Sequence, residues 1–293
     1  MNWQNEFSPT TGADDVWTCL DVDLGAVSHQ GLIRESNQDS YLVMKFGRSL
    51  ENVLTNLDED LFEQSYFMIG YGLLVADGMG GMAAGDVASR LALSKLIGLI
   101  ADTSDWTLAL QRQKDVVTVL ERMTERFLQI DDILREEADN DQTLQGMGTT
   151  LTVAGALGSN LIIGHVGDSR AYLFHGDKLT QLTTDHTLAQ ALIDAGVANR
   201  DDPASRSMRH VLTAAIGSLG DQIDPQVQRI KLRGGDKLLL CTDGLTEMVE
   251  DEMIADVLRE ANSAQTACQD LVDLALAGGG TDNVTVVLAH FLS

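Results

Sequence analysis

The chain has 293 residues, of which 44% are hydrophobic, and it carries 20 lysine and arginine residues against 44 aspartate and glutamate residues. This length allows a sizeable buried core, and the apolar residues form no long uninterrupted run that would predict a membrane span. A formal charge of −24 argues against binding to nucleic acid or to an anionic membrane surface unless a local basic patch exists, and none is visible along the sequence. Three cysteines in distant positions fit buried thiols better than disulfides or a zinc ribbon.

The chain reads as one domain over residues 18–293. Residues 1–17 mix polar, glycine and acidic residues without a period, which predicts a flexible N-terminal extension. The first residues include no basic segment followed by an apolar one, so we expect no secretory signal and a cytoplasmic location. A monomer is the default expectation.

The first half of the domain shows alternating segments followed by two helical patterns. Apolar alternation predicts strands over 19–27, 40–46 and 66–76, and an acidic insertion over 47–65 with one short helix. Periods of three and four predict helices over 83–101 and about 110–138, the second marked by Leu120, Met123, Phe127, Ile130 and Leu134.

The second half contains short apolar runs separated by glycine, asparagine, aspartate and serine. We predict an antiparallel meander over 151–157, 161–166, 171–174 and 179–182. Beyond it we predict a helix at 187–196, strands at 227–232 and 236–242, helices at 251–260 and 264–277, and a last strand at 283–290. Strands in runs and helices in pairs favour an α+β layered domain over a parallel βαβ sheet. The turn at 77–81 lacks G-x-G-x-x-G and begins with an acid, which argues against a dinucleotide site.

Four aspartates occupy similar positions, at the ends of apolar runs and beside glycine or asparagine: Asp77, Asp168, Asp243 and Asp282. Any one of them alone is more commonly a turn residue. Carboxylates at strand ends can converge on one edge of a sheet, where several together are unfavourable unless a cation neutralises them. Ligands that are all oxygen favour Mg²⁺ or Mn²⁺, and the absence of H-E-x-x-H or a Cys/His cluster argues against zinc.

Arg34 lies in the polar loop between the first two predicted strands. An arginine fork beside a metal cluster suits a phosphate, although pairing with Glu35 or Asp39 is the alternative. Two adjacent ions would lower the pKa of a bridging water and provide a hydroxide for in-line attack on phosphorus. The residues therefore predict metal-assisted hydrolysis of a phosphoester.

Six blocks in this order resemble the metal-dependent Ser/Thr protein phosphatases of type 2C, the PPM family, in their bacterial form. The resemblance runs from about residue 20 to 292, and its blocks are highly specific only in combination. They are Arg34-x-x-Asn37-Gln38-Asp39, Ala76-Asp77-Gly78-Met79-Gly80-Gly81, Gly148-Thr149-Thr150, Val166-Gly167-Asp168-Ser169-Arg170, Thr242-Asp243-Gly244-Leu245 and Gly280-Thr281-Asp282-Asn283-Val284-Thr285.

The resemblance implies a fold, an activity and a set of metal ligands. The fold is a four-layer α-β-β-α sandwich of two antiparallel sheets flanked by helix pairs. The activity is hydrolysis of phosphoserine and phosphothreonine on proteins by a metal-bridging water or hydroxide. The partners are phosphoproteins and a Ser/Thr kinase whose signalling is opposed. The resemblance implies that a first Mn²⁺ or Mg²⁺ is bound by Asp77, by the carbonyl of Gly78 and, mainly through water, by Asp39. A second ion would be bound by Asp77, Asp243 and Asp282, and a weaker third ion by Asp168 with Asp243. Arg34 would bind the substrate phosphate.

One departure from the family concerns the proton for the leaving group. Family members usually carry a histidine two or five residues after the bridging aspartate, where this chain has Met79 and Met82. Methionine cannot carry a proton. The absence of the histidine therefore predicts a reaction rate around 10²–10⁴-fold lower for substrates with poor leaving groups, unless another group supplies the proton. His165 is either that substitute or an ordinary structural histidine, and packing explains the two methionines.

Two further questions stay open at the level of sequence. Residues 185–210 resemble a mobile flap that covers the substrate side of the site in bacterial members of the family. Arg206 and Arg209 in this segment either meet acidic phosphopeptides or belong to a plain solvent loop. The rival functions are a phosphoprotein-binding relative without turnover, which would be expected to lose a metal ligand, and action on small phosphoesters or nucleotides.

Overall fold

The computed structural model describes residues 21–51, 65–80, 84–101, 116–199, 202, 207–218 and 222–292. The predicted extension at 1–17, most of the 47–65 interval, Met82 and Arg206 lie outside the described residues.

The described residues form two antiparallel sheets and two groups of helices. The strands are β1 Val22–His29, β2 Asp39–Glu51, β3 Ser65–Met79, β4 Gly148–Thr149, β5 Leu151–Leu157, β6 Asn160–Val166, β7 Arg170–His175, β8 Lys178–Gln181, β9 Gln226–Lys231, β10 Lys237–Cys241 and β11 Val284–Phe291. The helices are α1 Ala84–Ala101, α2 Val116–Asn140, α3 Leu188–Asp194, α4 Asp243–Thr246, α5 Asp251–Glu260 and α6 Ala264–Ala277, and Gln142–Leu144 forms a 3₁₀ turn.

The two sheets pack face to face between the helices, which confirms the four-layer α-β-β-α arrangement. One sheet has the order β1-β11-β10-β7-β8, and the other has the order β2-β3-β5-β6-β9 with β4 paired to β3. Alternating residues such as Val75 and Ile163 meet Leu240 and Val287 between the sheets. The amphipathic face predicted for α2 packs with α1 on one outer face, and α5 and α6 cover the other.

The predicted four-stranded meander is wrong. β5 pairs with β6 and β7 pairs with β8, but these two hairpins belong to different sheets because the chain crosses between the sheets at residues 167–169. Gly167 makes the crossing with a φ of 111°, a value that side chains other than glycine rarely adopt. The free edge of β6 is occupied by β9, a strand much later in the chain.

Element bounds differ from the predictions at several ends. β2 continues to Glu51, so residues 47–51 belong to a strand rather than to a separate insertion. β3 continues through the glycine turn to Met79, and α2 continues to Asn140. The short helix α4 was not predicted. None of the described helices combines the length and the apolar character that crossing a bilayer requires.

Candidate metal centre

The five predicted aspartates meet at one end of the sandwich. Asp39 opens β2 directly opposite Asp77 at the end of β3. Asp168 lies in the crossing before β7, Asp243 begins α4 with one residue between it and the end of β10, and Asp282 precedes β11. Because strands that run in opposite directions start and end at the same edge, these positions converge. All of them except the deeper Asp39 line one cavity of about 500 Å³.

The carboxylate of Asp39 is held at the base of this cluster by two hydroxyl groups. Thr242 and Thr285 donate hydrogen bonds to its Oδ2 at 2.8 and 2.7 Å. Burial raises the pKa of Asp39 to about 6, and the two hydroxyl donors oppose that rise. Its Oδ1 is buried and has no hydrogen-bond partner among the described residues. The base of the cluster therefore offers a fixed oxygen that lacks a partner.

The other carboxylates repel one another. Burial raises the pKa of Asp77 well above its ordinary value, and the charges of Asp39, Asp243, Asp168 and Asp282 raise it further. Burial raises the pKa of Asp168 to about 7, and burial together with the charge of Asp168 raises that of Asp243. Asp243 also has a buried Oδ1 without a partner among the described residues. A cluster of buried oxygens that repel one another fits a hard divalent cation such as Mn²⁺ or Mg²⁺.

The backbone of Asp77 is fixed by the threonine pair that follows α2. Thr150 donates its N–H to the Asp77 carbonyl at 2.9 Å, and its hydroxyl accepts the N–H of Asp77 at 2.9 Å. The hydroxyl of Thr149 donates to the same carbonyl at 2.8 Å. The Gly148-Thr149-Thr150 block thus holds the central aspartate in position.

The loop that carries Arg34 is fixed to the start of β11. The side chain of Asn283 accepts the N–H of Gln38 and donates to the carbonyls of Gln30 and Ser36. Arg34 Nη2 donates to Asp282 Oδ2 at 2.5 Å, so the guanidinium lies at the rim of the carboxylate cluster and not with Glu35 or Asp39 as the alternative proposed. The hydrogen bond to Asp282 raises the pKa of Arg34.

Comparison with known proteins identifies the family of this chain. The family model described as "Protein phosphatase 2C" matches residues 60–277. The chain belongs to the protein phosphatase 2C family. It is 37% identical over 217 residues to the serine/threonine protein phosphatase PstP of Mycobacterium tuberculosis, covering 74% of this chain and 40% of that relative. It is 35% identical over 218 residues to the serine/threonine phosphatase stp of Listeria welshimeri, covering 74% of this chain and 83% of the relative.

Solved structures agree with this classification. The serine/threonine phosphatase of S. agalactiae superposes with a TM-score of 0.73 at 28% identity, covering 93% of this chain and all of the other. The catalytic domain of PstP in complex with two manganese ions superposes with a TM-score of 0.70 at 31% identity, covering 93% and 99%. The fold of this phosphatase 2C family member is therefore that of its relatives, whereas its chain spans only about 40% of the length of full PstP.

The structure explains two residues that the sequence analysis singled out in this phosphatase 2C domain. Gly78 lines the cavity, but a side chain there would first collide with the backbone of Gly85 at the start of α1, 2.0 Å from an added Cβ. Close packing of turn and helix thus requires this glycine, and its role as a carbonyl ligand stays a prediction. His165 is fully buried, bonds to Thr152 and to the carbonyl of Thr184, and burial lowers its pKa to about 3. It is a structural histidine.

Sequence reasoning missed two residues at the cavity, His210 and Glu247. His210 Nδ1 contacts Glu247 Oε1, and both residues line the cavity. Potential ligand atoms of His210, Glu247 and Asp243 lie within 4.8 Å of one another, a spacing that also suits a cation. No local pattern marks either residue.

Backbone pairing holds the segment that contains His210 against the site. Just beyond it, Thr213 donates its N–H to the carbonyl of His186, and Ile216 pairs with Thr149. Arg170 forms a bidentate ion pair with Asp185, next to His186. These contacts bring the segment that contains His210 over the cavity.

The raised carboxylate pKa values predict an unusual pH dependence of stability in the metal-free protein. Folded Asp39 and Asp168 hold protons up to about pH 6 and 7, whereas in the unfolded chain aspartates release them near an ordinary pKa of about 3.9. The folded state therefore binds more protons between these values, and stability falls as pH rises through this window, by on the order of a few kcal/mol. We expect urea midpoints in EDTA to decrease from pH 5 to pH 8.

Addition of Mn²⁺ should cancel this decrease, because a cation replaces the protons and binds the ionised carboxylates best. Parallel pH profiles with EDTA and with Mn²⁺ would contradict the assignment of these aspartates to a metal centre.

Proposed function

We propose that this chain hydrolyses phosphoserine and phosphothreonine on protein substrates. The observation that carries the proposal is the convergence of five aspartates at one end of the sandwich, four of which line one cavity, with an arginine at its rim. Relatives that share its family are serine/threonine protein phosphatases by name, and one was solved with two manganese ions. The proposal includes all the metal ligands that the resemblance implied: Asp39, Asp77, Gly78, Asp168, Asp243 and Asp282.

The metal ions and the protein would divide the chemistry. Two bound Mn²⁺ or Mg²⁺ ions, with a weaker third at Asp168 and Asp243, would neutralise the carboxylates and lower the pKa of water for attack on phosphorus. Asp77 would orient that water, because it lies at the centre of the cluster with its backbone fixed by Thr149 and Thr150. Arg34 would leave Asp282 to grip the phosphate oxygens, since an ion would then neutralise Asp282.

Arg34→Ala should raise KM for an aryl phosphate about 10- to 100-fold, because two charge-assisted hydrogen bonds to phosphate would be lost. Competitive inhibition by inorganic phosphate should weaken by a similar factor. Arg259→Ala is the matched control, because Arg259 forms exposed ion pairs with Asp177 and Asp256. An unchanged inhibition constant for phosphate in Arg34→Ala would contradict the role.

The leaving alkoxide of serine or threonine needs a proton, and we assign its delivery to His210. Met79 lines the cavity but cannot carry a proton, and His165 is not among the described residues that line it. His210 lines the cavity, and its Nδ1 is engaged by Glu247, so Nε2 is the nitrogen left to donate. Proton transfer from Nε2 to the leaving oxygen accompanies cleavage of the phosphorus–oxygen bond.

The partners are a further part of the proposal. A protein that removes phosphate from serine and threonine opposes a Ser/Thr kinase, and we propose such a kinase as its functional counterpart. The monomeric state and the cytoplasmic location stay predictions.

The test is release of phosphate from a phosphothreonine peptide, an aryl phosphate and a nucleotide, each with Mn²⁺, Mg²⁺ or EDTA. Metal-dependent turnover of the peptide with little turnover of the nucleotide supports the proposal. Binding of Mn²⁺ and of the phosphopeptide without turnover would replace it with a phosphoprotein-binding role. Preference for the nucleotide would replace it with action on small phosphoesters.

A further inference from the structure

A second groove, of about 290 Å³, lies away from the aspartates and has a basic rim. Lys178, Lys231 and Arg233 are exposed at its rim, and Leu173 and Leu182 form an apolar part of its wall. These three cations come from β8, from the end of β9 and from the loop that follows β9. Lys231 and Arg233 are two residues apart in the sequence, and the tertiary structure brings the distant Lys178 to them.

The cations of this groove have polar contacts but no ion-pair partner among the described residues. Lys231 Nζ donates to Ser159 Oγ at 3.4 Å, and Arg233 Nη1 lies 3.3 Å from His175 Nε2. Among the described residues, no carboxylate forms an ion pair with Lys178, Lys231 or Arg233. Asp236 is the acidic residue that lines the groove, but it is only 1% exposed, and its oxygens are bonded to His175 Nδ1 and to the N–H of Arg233. These three neighbouring cations contrast with the composition of the chain, which has 44 acidic and 20 basic residues.

The groove lies at the opposite end of the sandwich from the metal centre. β7 begins at Arg170 beside the cavity and ends at His175 in the groove, and β10 runs back from Lys237 to the aspartate that follows it. A strand of this length spans about 17 Å. The groove opens between β8 and β9, which are the edge strands of the two sheets.

We propose that this groove is a docking site for an acidic segment of the phosphoprotein substrate, at a distance from the phosphorylated residue. The proposal rests on the function proposed above. The net charge of the protein is strongly negative and disfavours an acidic chain, whereas the three cations without a carboxylate partner attract it here and the leucine wall accepts an apolar side chain. Such a contact raises affinity for the correct substrate without touching the reacting atoms.

Direct binding tests the groove without any turnover. The probe is a fluorescein-labelled peptide of alternating glutamate and leucine, measured by anisotropy at low and at high salt. We expect salt-sensitive binding that weakens about tenfold or more in Lys178→Glu/Lys231→Glu/Arg233→Glu, and to a lesser degree in the corresponding glutamine variant. The control Lys45→Glu changes an exposed lysine on β2, which is the edge strand opposite β9 in the same sheet, and this variant should bind the probe as the unchanged protein does.

Kinetics then test whether docking serves the reaction. Each substrate is a phosphothreonine peptide joined through a neutral linker to the acidic segment or to its glutamine analogue, with the segment placed on either side of the phosphothreonine. A linker of about ten residues is long enough to reach from the cavity to the groove. The groove variant should raise KM for the acidic peptide alone, leaving kcat and aryl phosphate turnover unchanged. Equal probe binding in all proteins, no binding at low salt, or an unchanged KM would each overturn the docking proposal. Failure of the unaltered protein to turn over aryl phosphate would instead count against the proposed function.

Discussion

Asp77→Asn is expected to reduce metal-dependent turnover about 10³-fold or more and to weaken Mn²⁺ binding about 100-fold or more. Asparagine keeps the shape of the side chain but removes the central charge of the cluster. The same change should stabilise the metal-free protein at neutral pH, because burial and the charges of Asp39, Asp243 and Asp168 all disfavour ionised Asp77. Calorimetric Mn²⁺ titration, turnover and urea unfolding in EDTA measure the three effects.

The opposite signs of these effects separate a metal role from damage to the fold. A misfolded variant would lose both activity and stability, whereas a missing metal ligand costs activity and raises stability without metal. Asp273→Asn is the matched control, since Asp273 is exposed on α6 and bonds to Gln269. Undiminished Mn²⁺-dependent turnover in Asp77→Asn would refute the metal centre.

His210→Gln is expected to lower kcat on a short phosphothreonine peptide about 10²-fold or more, and on an activated aryl phosphate less than about tenfold. An aryl oxide leaves without a proton, whereas an alkoxide does not, so the loss should grow as the leaving group becomes more basic. Turnover of a series of aryl and alkyl phosphates measures this dependence. Glu247→Gln, which weakens the hold on His210 Nδ1, should show the same trend with a smaller loss.

His290→Gln provides the comparison for this variant, because His290 lies on β11 at the end far from the cavity. Equal losses on all leaving groups would show that His210 does not supply the proton. A reduced number of bound Mn²⁺ ions in His210→Gln would show instead that His210 is a metal ligand, as its distance to Asp243 also permits.

Much of this protein could be predicted from local patterns. The spacing of Met123, Phe127, Ile130 and Leu134 predicted α2, and all four side chains are buried. The aspartates at strand ends predicted a common site, because strands that end beside glycine place their polar residues at the edge of a sheet. The helices at 251–260 and 264–277 have the predicted bounds, since each has a clear amphipathic period and a polar residue before its start.

Features that join distant segments were missed or predicted wrongly. The meander failed because hydrophobic alternation tells which face of a strand is buried but not which strand lies beside it, and the edge of β6 went to β9. Asp39 accepts hydrogen bonds from Thr242 and Thr285, which lie more than half the chain away. The contact of His210 with Glu247 likewise depends on the pairing of the segment that follows His210, at Ile216, with Thr149.

The sequence by itself determined the layered α+β class, the excess of negative charge and the aspartates at strand ends that meet at the candidate site. Each of these follows from composition or from periods of two and of three to four residues, which act over a few neighbours. Only the tertiary structure decided how the sheets share the strands, which hydroxyls hold Asp39, which histidine lines the cavity, and that Lys178 meets Lys231 and Arg233. Those outcomes depend on packing between segments far apart in the chain, because each surface is built from several elements and no one of them encodes it.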